Sequence, residues 1–375
     1  MQPSDGKQTN GNRMNLQAAD NNPPIEMEIT NLEINQSGAS AFVTGKVRDM
    51  NSVLRLSVDG EDVFLSDEGI FEFKIYTPLG GREIQLVLEG QNGELVVKKI
   101  ALERKNSSQA EIEFASLNPL KRKAMPNKDA VALIIGIGTY ENVIDAAYAD
   151  KDALVFRDYA TEKLGIPDNQ IKLLINNEAE IGEVLLGIRK WVRRSTKPDK
   201  TDVYVFFAGH GLATATGEAY ILPYDGRPEV DLLDRTALLQ KELFAEIDKA
   251  KPRNVTIFLD ACYTGKARTG EVLMADANYR PIAIRAVDDG MPDNFTLITA
   301  SSGDEFSGPL EEMKHGLFSY FLMKGMEGEA DANKNNEITA GELHTYVQTN
   351  VIQQSSGSQT PELQGDATRV LVRFQ

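Results

Sequence analysis

Cys262, the only cysteine of the sequence, and His210 are the two residues best suited to nucleophilic chemistry. Each follows an apolar run, residues 255–259 before the cysteine and residues 203–207 before the histidine. A thiol of ordinary pKa is only a few per cent ionised at neutral pH, so a neighbouring imidazole must take its proton before it attacks a carbonyl carbon. The pair therefore predicts acyl transfer through a thiolate. The alternative is a small buried cysteine with a structural role.

Both apolar runs are typical of buried strands, so His210 and Cys262 are predicted to follow strand ends. Active-site residues collect at the carboxyl ends of strands in parallel α/β sheets. Gly209 and Gly211 flank the histidine, and glycine permits close backbone approach to a ligand. The backbone amides of Gly211 and Cys262 are accordingly candidate donors to the oxyanion of an acyl-transfer intermediate. The alternative for His210 is a loop histidine with no catalytic task.

Further motifs accompany this pair in a fixed order. They are a strand at 130–138 with Thr139-Tyr140, an acidic helix start at 149–153, the His-Gly and Asp-Ala-Cys motifs, residues 297–302 with Glu305, and a helix start at 315–322. In kind and order they resemble the caspase-like cysteine peptidases, on the metacaspase, paracaspase and bacterial orthocaspase side of that clan. The resemblance covers roughly residues 128 to 374.

The resemblance implies that His210 is the general base, that Cys262 is the nucleophile, and that Gly211 and Cys262 donate to the oxyanion. No cofactor is required for this chemistry. The separation of about fifty residues between histidine and cysteine is also that of caspases. True caspases, however, carry Gln-Ala-Cys where this chain has Asp260-Ala261-Cys262, so cleavage after aspartate is not expected.

The family pattern further implies that Asp152 and Asp260 line the primary specificity pocket, with Glu305 as a third carboxylate. Two carboxylates that converge in a recess repel each other and lose hydration unless a cation enters. We therefore expect a protein or peptide substrate with arginine or lysine before the cut. The alternatives are a surface carboxylate at Asp152 and a structural one at Asp260. Segment 263–293 corresponds by position to the segment that caspase relatives often cut during maturation, so the candidate self-cleavage sites are Lys266, Arg268, Arg280 and Arg285.

Two rival functions remain open. One is a signalling or scaffold module that uses a catalytically limited caspase-like domain for protein binding; the presence of both Cys262 and His210 argues against it. The other is a peptidase of different specificity. The sequence does not identify the group that orients His210.

Residues 331–342 are a candidate calcium loop. Oxygen-bearing side chains stand at positions 1, 3, 5 and 12 of the loop, position 9 is Thr339, and the apolar Ile338 stands at its usual place. The expected ligands are Asp331, Asn333, Asn335, Glu337 through its carbonyl, and Glu342. Position 6 is Asn336 where glycine is usual, and asparagine tolerates positive φ. The alternative is a capping box, in which Thr339 and Glu342 begin a helix at 340–351.

The chain has 375 residues, 56 acidic and 40 basic, for a formal net charge of −16. This balance disfavours sequence-independent binding to nucleic acid and suits basic peptide substrates. No apolar stretch approaches the roughly 20 residues of a transmembrane helix, and no signal-peptide core is visible. We expect no membrane span and, by default, a cytoplasmic protein, although an exported protein that has lost its leader fits equally well. The oligomeric state is not indicated.

Four segments are predicted: a disordered stretch at 1–24, an all-β immunoglobulin-like sandwich at 25–104, a linker at 105–127 and an α/β caspase-like domain at 128–375. Lys121, Arg122 and Lys123 in the linker are either a cleavage site or a solvated charge run. The α/β domain is predicted to hold a mainly parallel six-stranded sheet with helices on both faces. Its predicted strands lie near 129–137, 171–175, 202–207, 254–259, 295–300 and 368–374, and predicted helices at 151–164, 181–194 and 238–249.

Overall fold

The computed structural model of the protein describes residues 27–37, 40–77, 81–103, 114–214, 217–261, 263, 290–302, 305 and 307–375. Two large hydrophobic cores lie within these residues, one built from the N-terminal strands and one from the α/β part of the chain; a small third cluster holds Ala213 and Tyr263.

The N-terminal part is all-β, as predicted. Its strands are β1 (Glu28–Ser37), β2 (Ser40–Arg48), β3 (Val53–Val58), β4 (Glu61–Val63), β5 (Ile70–Tyr76), β6 (Arg82–Gly90) and β7 (Leu95–Leu102). They form two antiparallel sheets with the orders β1-β2-β5 and β4-β3-β6-β7. Alternate residues such as Leu56, Phe71 and Leu86 point inward and share one core. The short strand β4 was not predicted; it follows the Asp59-Gly60 turn, where both residues have positive φ, as a two-residue hairpin requires.

The C-terminal part is α/β, with its strands numbered on in chain order. They are β8 (Ala130–Gly136), β9 (Ile171–Ile175), β10 (Asp202–Ala208), β11 (Gly211–Ala213), β12 (Ala219–Ile221), β13 (Leu238–Leu239), β14 (Asn254–Asp260), β15 (Phe295–Thr299), β16 (Pro309–Leu310), β17 (His315–Gly316), β18 (Glu337–Thr339), β19 (Glu362–Gly365) and β20 (Val370–Arg373). The central sheet has the order β19-β15-β14-β10-β8-β9. Its strands are parallel except β19, which pairs antiparallel with β15.

The prediction for the sixth strand of this sheet was wrong. The predicted segment 368–374 does contain β20, but β20 pairs with β18 in a separate two-stranded sheet. The edge position belongs to β19, whose sequence Glu-Leu-Gln-Gly lacks the apolar run that signals a buried strand. The sheet is therefore mixed rather than purely parallel.

The helices are α1 (Ala149–Glu162), α2 (Ile181–Leu186), α3 (Arg193–Ser195), α4 (Leu233–Thr236), α5 (Gln240–Asp248), α6 (Leu317–Lys324) and α7 (Ala340–Gln354). A π-helical segment, Gly187–Val192, joins α2 to α3, and another, Gly325–Glu329, extends α6.

Helices cover both faces of the central sheet, as predicted. Phe156 of α1 stacks on Phe206 of β10 with ring centroids 4.2 Å apart, and Phe206 is paired in register with Phe258 of β14. Phe244 of α5 packs against Phe295 of β15. Phe295 is paired in register with Val255, which stands three positions before Phe258 on β14. Since side chains alternate along a strand, α1 and α5 lie on opposite faces.

The second half of the predicted linker packs on the α/β domain. The ring of Phe114 meets that of Tyr320 edge-on at 5.7 Å, and the Tyr320 hydroxyl donates to the carbonyl of Ala115 at 2.8 Å. The amide of Asn118 donates to Glu327 Oε1 at 2.7 Å, and Glu327 is buried and also bonded to Lys324. Residues 114–127 are thus held on the α/β domain.

Candidate active site

The carboxyl ends of β10 and β14 lie side by side in the central sheet. Ala208 is in register with Asp260, and the amide of Gly209 donates to the carbonyl of Asp260 at 3.2 Å. His210 stands two positions beyond Ala208, as Cys262 stands two positions beyond Asp260 in the sequence. Cys262 itself is outside the described residues. The structure therefore describes the histidine half of the predicted pair.

His210 is buried, and its ring is oriented by a backbone carbonyl. Nε2 lies 2.8 Å from the carbonyl oxygen of Ile144. A carbonyl only accepts, so Nε2 donates, and in the neutral imidazole Nδ1 is then the acceptor. The arrangement leaves Nδ1 as the basic nitrogen. Sequence reasoning missed Ile144 because every residue has a carbonyl and nothing in the chain marks this one.

The loop that carries Ile144 follows β8 and is shaped by side-chain oxygens. Asn176 Oδ1 accepts from the amides of Gly138 at 2.8 Å and Thr139 at 3.1 Å. Asp145 Oδ1 accepts from the amide of Tyr140 at 3.2 Å. These short polar side chains satisfy the backbone groups of a loop that belongs to neither helix nor sheet. The position of the Ile144 carbonyl is thereby fixed.

Gly211, the predicted oxyanion donor, is the first residue of β11. It follows His210 directly and pairs with Ile221 of β12, and the carbonyl of His210 accepts from the amide of Leu222 at 3.0 Å. The oxyanion role of Gly211 and Cys262 stays a prediction.

Asp152 is fully buried in the first turn of α1. Its Oδ1 lies 2.7 Å from Nδ1 of His315, and its Oδ2 accepts from the amide of Gly316 at 2.9 Å. The alternative of a surface carboxylate at this position does not fit this burial. His315 stood in a motif of the sequence, but no sequence signal indicates that it bonds Asp152.

Asp260 is also fully buried, at the end of β14. The hydroxyl of Ser307 donates to Oδ1 at 2.9 Å, and that of Ser319 donates to Oδ2 at 2.5 Å. Ser319 lies in the first turn of α6, directly after the β17 residues that bond Asp152. The structure thus brings Asp152 and Asp260 to the same short stretch, 315–319, which donates to both carboxylates through imidazole, amide and hydroxyl groups.

Glu305 lies apart from these bonds. Its Oε2 accepts from the amide of Thr360 at 2.5 Å, and its Oε1 accepts from the Thr360 hydroxyl at 2.9 Å. These contacts tie the segment after β15 to the segment before β19. A pocket role for Glu305 stays a prediction.

Asn336, at position 6 of the candidate calcium loop, has a φ of 68°, the left-handed conformation for which glycine is usual at this position. The predicted capping box is present, with Glu342 Oε2 accepting from the Thr339 amide at 3.0 Å and the Glu342 amide donating to the Thr339 hydroxyl. Asp331 accepts from the amide of Asn335 at 3.0 Å and from Arg122 Nη1 at 3.2 Å.

Protein donors therefore occupy oxygens that calcium would need. Arg122 also contacts the Asn336 side chain and lies over the ring of Phe374 at 3.8 Å, and Arg373 bonds the Glu337 carboxylate at 2.8 Å. Within the described parts of the chain, no three His, Cys, Asp or Glu residues are grouped to hold a metal ion. In the described arrangement the cation beside Asp331 is the guanidinium of Arg122. Calcium binding stays a prediction.

We expect Arg122→Gln to bind calcium at residues 331–342 more tightly than the wild type, because the variant removes a competing cation from Asp331. At a calcium concentration about a hundred times the dissociation constant, bound calcium would stabilise the variant by about 2.7 kcal/mol. Calorimetric titration and melting temperature measure both effects. Adding Glu342→Gln removes a carboxylate and keeps an oxygen for the cap, so it should abolish the gain. No heat of binding and no shift in melting temperature would leave the helix cap as the role of Glu342.

The basic residues predicted as cleavage sites fall into two groups. Lys266, Arg268, Arg280 and Arg285 lie outside the described residues. Lys121 and Arg122 of the linker are ion-paired, Lys121 with Glu329 at 3.0 Å and Arg122 with Asp331. The carbonyl of Arg122 accepts from Lys163, whose pKa is lowered by burial.

No helix in the described part of the chain is long and apolar enough to cross a membrane.

Similarity to known proteins gives the family. A family model described as "Caspase domain" matches residues 129–372, which include the described site residues and Cys262. No curated protein matches the chain.

Some solved structures show a weak likeness to the chain. Protein GSU0716 from Geobacter sulfurreducens is 14% identical, with 66% of this chain and 100% of that chain covered and a TM-score of 0.46. The family 28 exopolygalacturonase of Yersinia enterocolitica is 11% identical over 62% of this chain and 54% of that chain, with a TM-score of 0.15. Likenesses as low as these carry no conclusion about fold or function.

The chain belongs to the caspase-domain family, since the family model matches well over half of it. At the level of the family it is a caspase-like cysteine peptidase, and its substrates are accordingly proteins or peptides.

Proposed function

We propose that the protein is a cysteine endopeptidase that hydrolyses peptide bonds after arginine or lysine, with Cys262 as nucleophile and His210 as base. The observation that carries the proposal is the bond from His210 Nε2 to the carbonyl of Ile144. It leaves Nδ1 as the acceptor on a ring held at the end of β10, beside the strand that leads to Cys262. A histidine fixed in this tautomer is what a thiol needs in order to lose its proton.

The proposed reaction has two stages. Nδ1 of His210 takes the thiol proton, and the thiolate of Cys262 attacks the carbonyl carbon before the cut. The amides of Gly211 and Cys262 donate to the oxyanion, and the imidazolium then protonates the leaving amine as the thioester forms. In the second stage His210 takes a proton from water and the hydroxide attacks the thioester, which breaks the C–S bond. The imidazolium returns its proton to the thiolate of Cys262, and the product acid loses its proton to solvent and leaves as a carboxylate. Whenever His210 is protonated, the Ile144 carbonyl accepts from Nε2 and stabilises the positive charge of the imidazolium.

The preference for a basic residue is proposed from the two buried carboxylates. Asp260 ends β14, which lies beside β10, the strand that precedes His210. Both Asp260 and Asp152 accept from donors near the start of α6. A charge-assisted hydrogen bond contributes roughly 1.5 to 3 kcal/mol, so one bond to the substrate would favour arginine over a neutral residue by about tenfold to a hundredfold. Processing of the chain itself after Lys266, Arg268, Arg280 or Arg285 follows from the same preference.

The N-terminal part is proposed to act as an immunoglobulin-like spacer or docking module. Its two antiparallel sheets and their shared core support this role, and it contributes neither histidine nor cysteine.

A panel of fluorogenic peptides that differ only at the residue before the cut tests the proposal. We expect arginine and lysine peptides to exceed alanine and aspartate peptides by about tenfold or more in kcat/KM, with and without calcium. Mass spectrometry of the incubated chain, beside Cys262→Ala, should locate cuts after basic residues in segment 263–293. Cuts after aspartate would contradict the pocket assignment, and absence of turnover on every peptide would favour the scaffold alternative.

A further inference from the structure

Tyr140 touches His210 at two places. Its hydroxyl accepts from the backbone amide of His210 at 2.7 Å. Its ring lies against the imidazole, with centroids 4.7 Å apart and planes inclined by 32°. Both side chains are buried. One tyrosine therefore contacts both the backbone and the ring of the proposed base.

The same contacts close a small network around His210. The Tyr140 hydroxyl donates to the carbonyl of Leu222 at 3.4 Å, and the amide of Leu222 donates to the carbonyl of His210. Tyr140 and Ile144 also belong to one loop, and the Ile144 carbonyl accepts from Nε2 of the ring. This loop thus holds His210 by its amide, by its ring face and by Nε2.

Gly209 is the residue that lets Tyr140 come this close. A Cβ atom at Gly209 would lie 2.5 Å from the Tyr140 hydroxyl oxygen and 2.8 Å from the ring of Phe207. Neither distance is compatible with a side chain unless its neighbour moves. The close approach of Tyr140 therefore explains why residue 209 is a glycine. Tyr140 stands seventy positions before His210 in the chain.

We propose that Tyr140 is a positioning residue for His210. Its hydroxyl fixes the backbone of the histidine, and its ring fixes the plane of the imidazole, so that Nε2 stays on the Ile144 carbonyl and Nδ1 stays the basic nitrogen. The electron-rich ring face also favours the imidazolium formed when the thiol loses its proton. The catalytic consequence rests on the proposed function, whereas the orientation of the ring does not.

The test uses the full chain with Tyr140→Phe and Tyr140→Leu. The phenylalanine variant keeps the ring and loses the hydroxyl, and the leucine variant loses both. With an arginine peptide we expect kcat to fall about tenfold for Tyr140→Phe, as for one lost hydrogen bond, and about a hundredfold for Tyr140→Leu, as for a misplaced catalytic group. KM should change less than about twofold, since Tyr140 is not expected to touch the substrate. Tyr346→Phe is the matched control and should keep wild-type kcat. It removes the hydroxyl of a tyrosine on α7 that donates to Glu329.

Nitrogen-15 NMR of the imidazoles provides a second readout that needs no activity. The chain has three histidines, so the signals of His210 can be assigned with a His210→Gln variant. The wild type should show a protonated Nε2 and an unprotonated Nδ1, and Tyr140→Leu should show averaged signals from mixed tautomers and ring positions. Wild-type signals and wild-type kcat in a folded Tyr140→Leu protein would overturn the proposal. If that variant does not fold, Tyr140→Phe decides by the same two measurements. A wild type without turnover would contradict the proposed function, and the tautomer measurement would still decide the role of Tyr140.

Discussion

Cys262→Ala should lower kcat/KM for an arginine peptide by several orders of magnitude and leave the melting temperature near that of the wild type. His210→Ala should have the same effect on activity. The two side chains act as one unit, because the thiolate is the nucleophile and the imidazole forms it by taking the thiol proton. Losing either side chain therefore abolishes the thiolate mechanism. Steady-state kinetics on purified protein and thermal unfolding measure the two properties.

His344→Ala is the matched control for the histidine variant. His344 also bonds a backbone carbonyl through Nε2, that of Pro361 at 3.0 Å, but it lies on α7. We expect its activity to stay within about threefold of the wild type, and the double variant of Cys262 and His210 to be no worse than either single one. Turnover retained by a folded Cys262→Ala protein would refute the peptidase mechanism.

Asp152→Asn should lower the ratio of kcat/KM for arginine peptides to that for alanine peptides by about tenfold to a hundredfold, because it removes one carboxylate of the proposed pocket. The variant should also be less stable by about 1 to 3 kcal/mol. The loss of stability is expected because His315 and the Gly316 amide each donate to one carboxylate oxygen of Asp152, and the asparagine amide keeps only one acceptor oxygen. The ratio of kcat/KM values on the two peptides isolates specificity, because both are measured on the same folded fraction.

His315→Gln separates the two roles of Asp152. The variant removes the imidazole that bonds the Asp152 carboxylate but leaves the negative charge of Asp152. We therefore expect the protein to be less stable while the ratio of kcat/KM values for arginine and alanine peptides is kept. Glu305→Gln gives a further comparison, since its carboxylate is bonded to Thr360. An unchanged ratio in folded Asp152→Asn would mean that this carboxylate serves only the packing of α1 on β17.

The architecture was predictable where local sequence carries the signal. The parallel strands β8, β10, β14 and β15 are buried on both faces and appear as mainly apolar runs. Strands β4 and β19 were missed because they are short and polar and owe their place to the neighbour they pair with. The Thr339–Glu342 capping box was predictable since both members lie within one helical turn.

The candidate site was predictable only in part, for a related reason. His210 could be placed at a strand end because the run before it is visible in the sequence. Its contacts with Ile144 and Tyr140 are long-range, one of them to a backbone atom, and a single sequence does not mark such partners. The donors to Asp152 and Asp260 are likewise far from them along the chain. Residue types indicate the chemistry, whereas the groups that orient them emerge from the fold.

The anchoring of residues 114–127 limits how far the N-terminal module can reach. Eleven Cα-to-Cα steps separate Glu103, just after β7, from Phe114, which packs on Tyr320. An extended chain gains about 3.5 Å per residue, so this tether spans at most about 40 Å. Anything docked on the module is confined to a volume around α6, the helix whose first turn bonds Asp260. Within such a volume a tethered protein is present at roughly millimolar effective concentration, so in its proposed docking role the module would select substrates by proximity as well as by sequence.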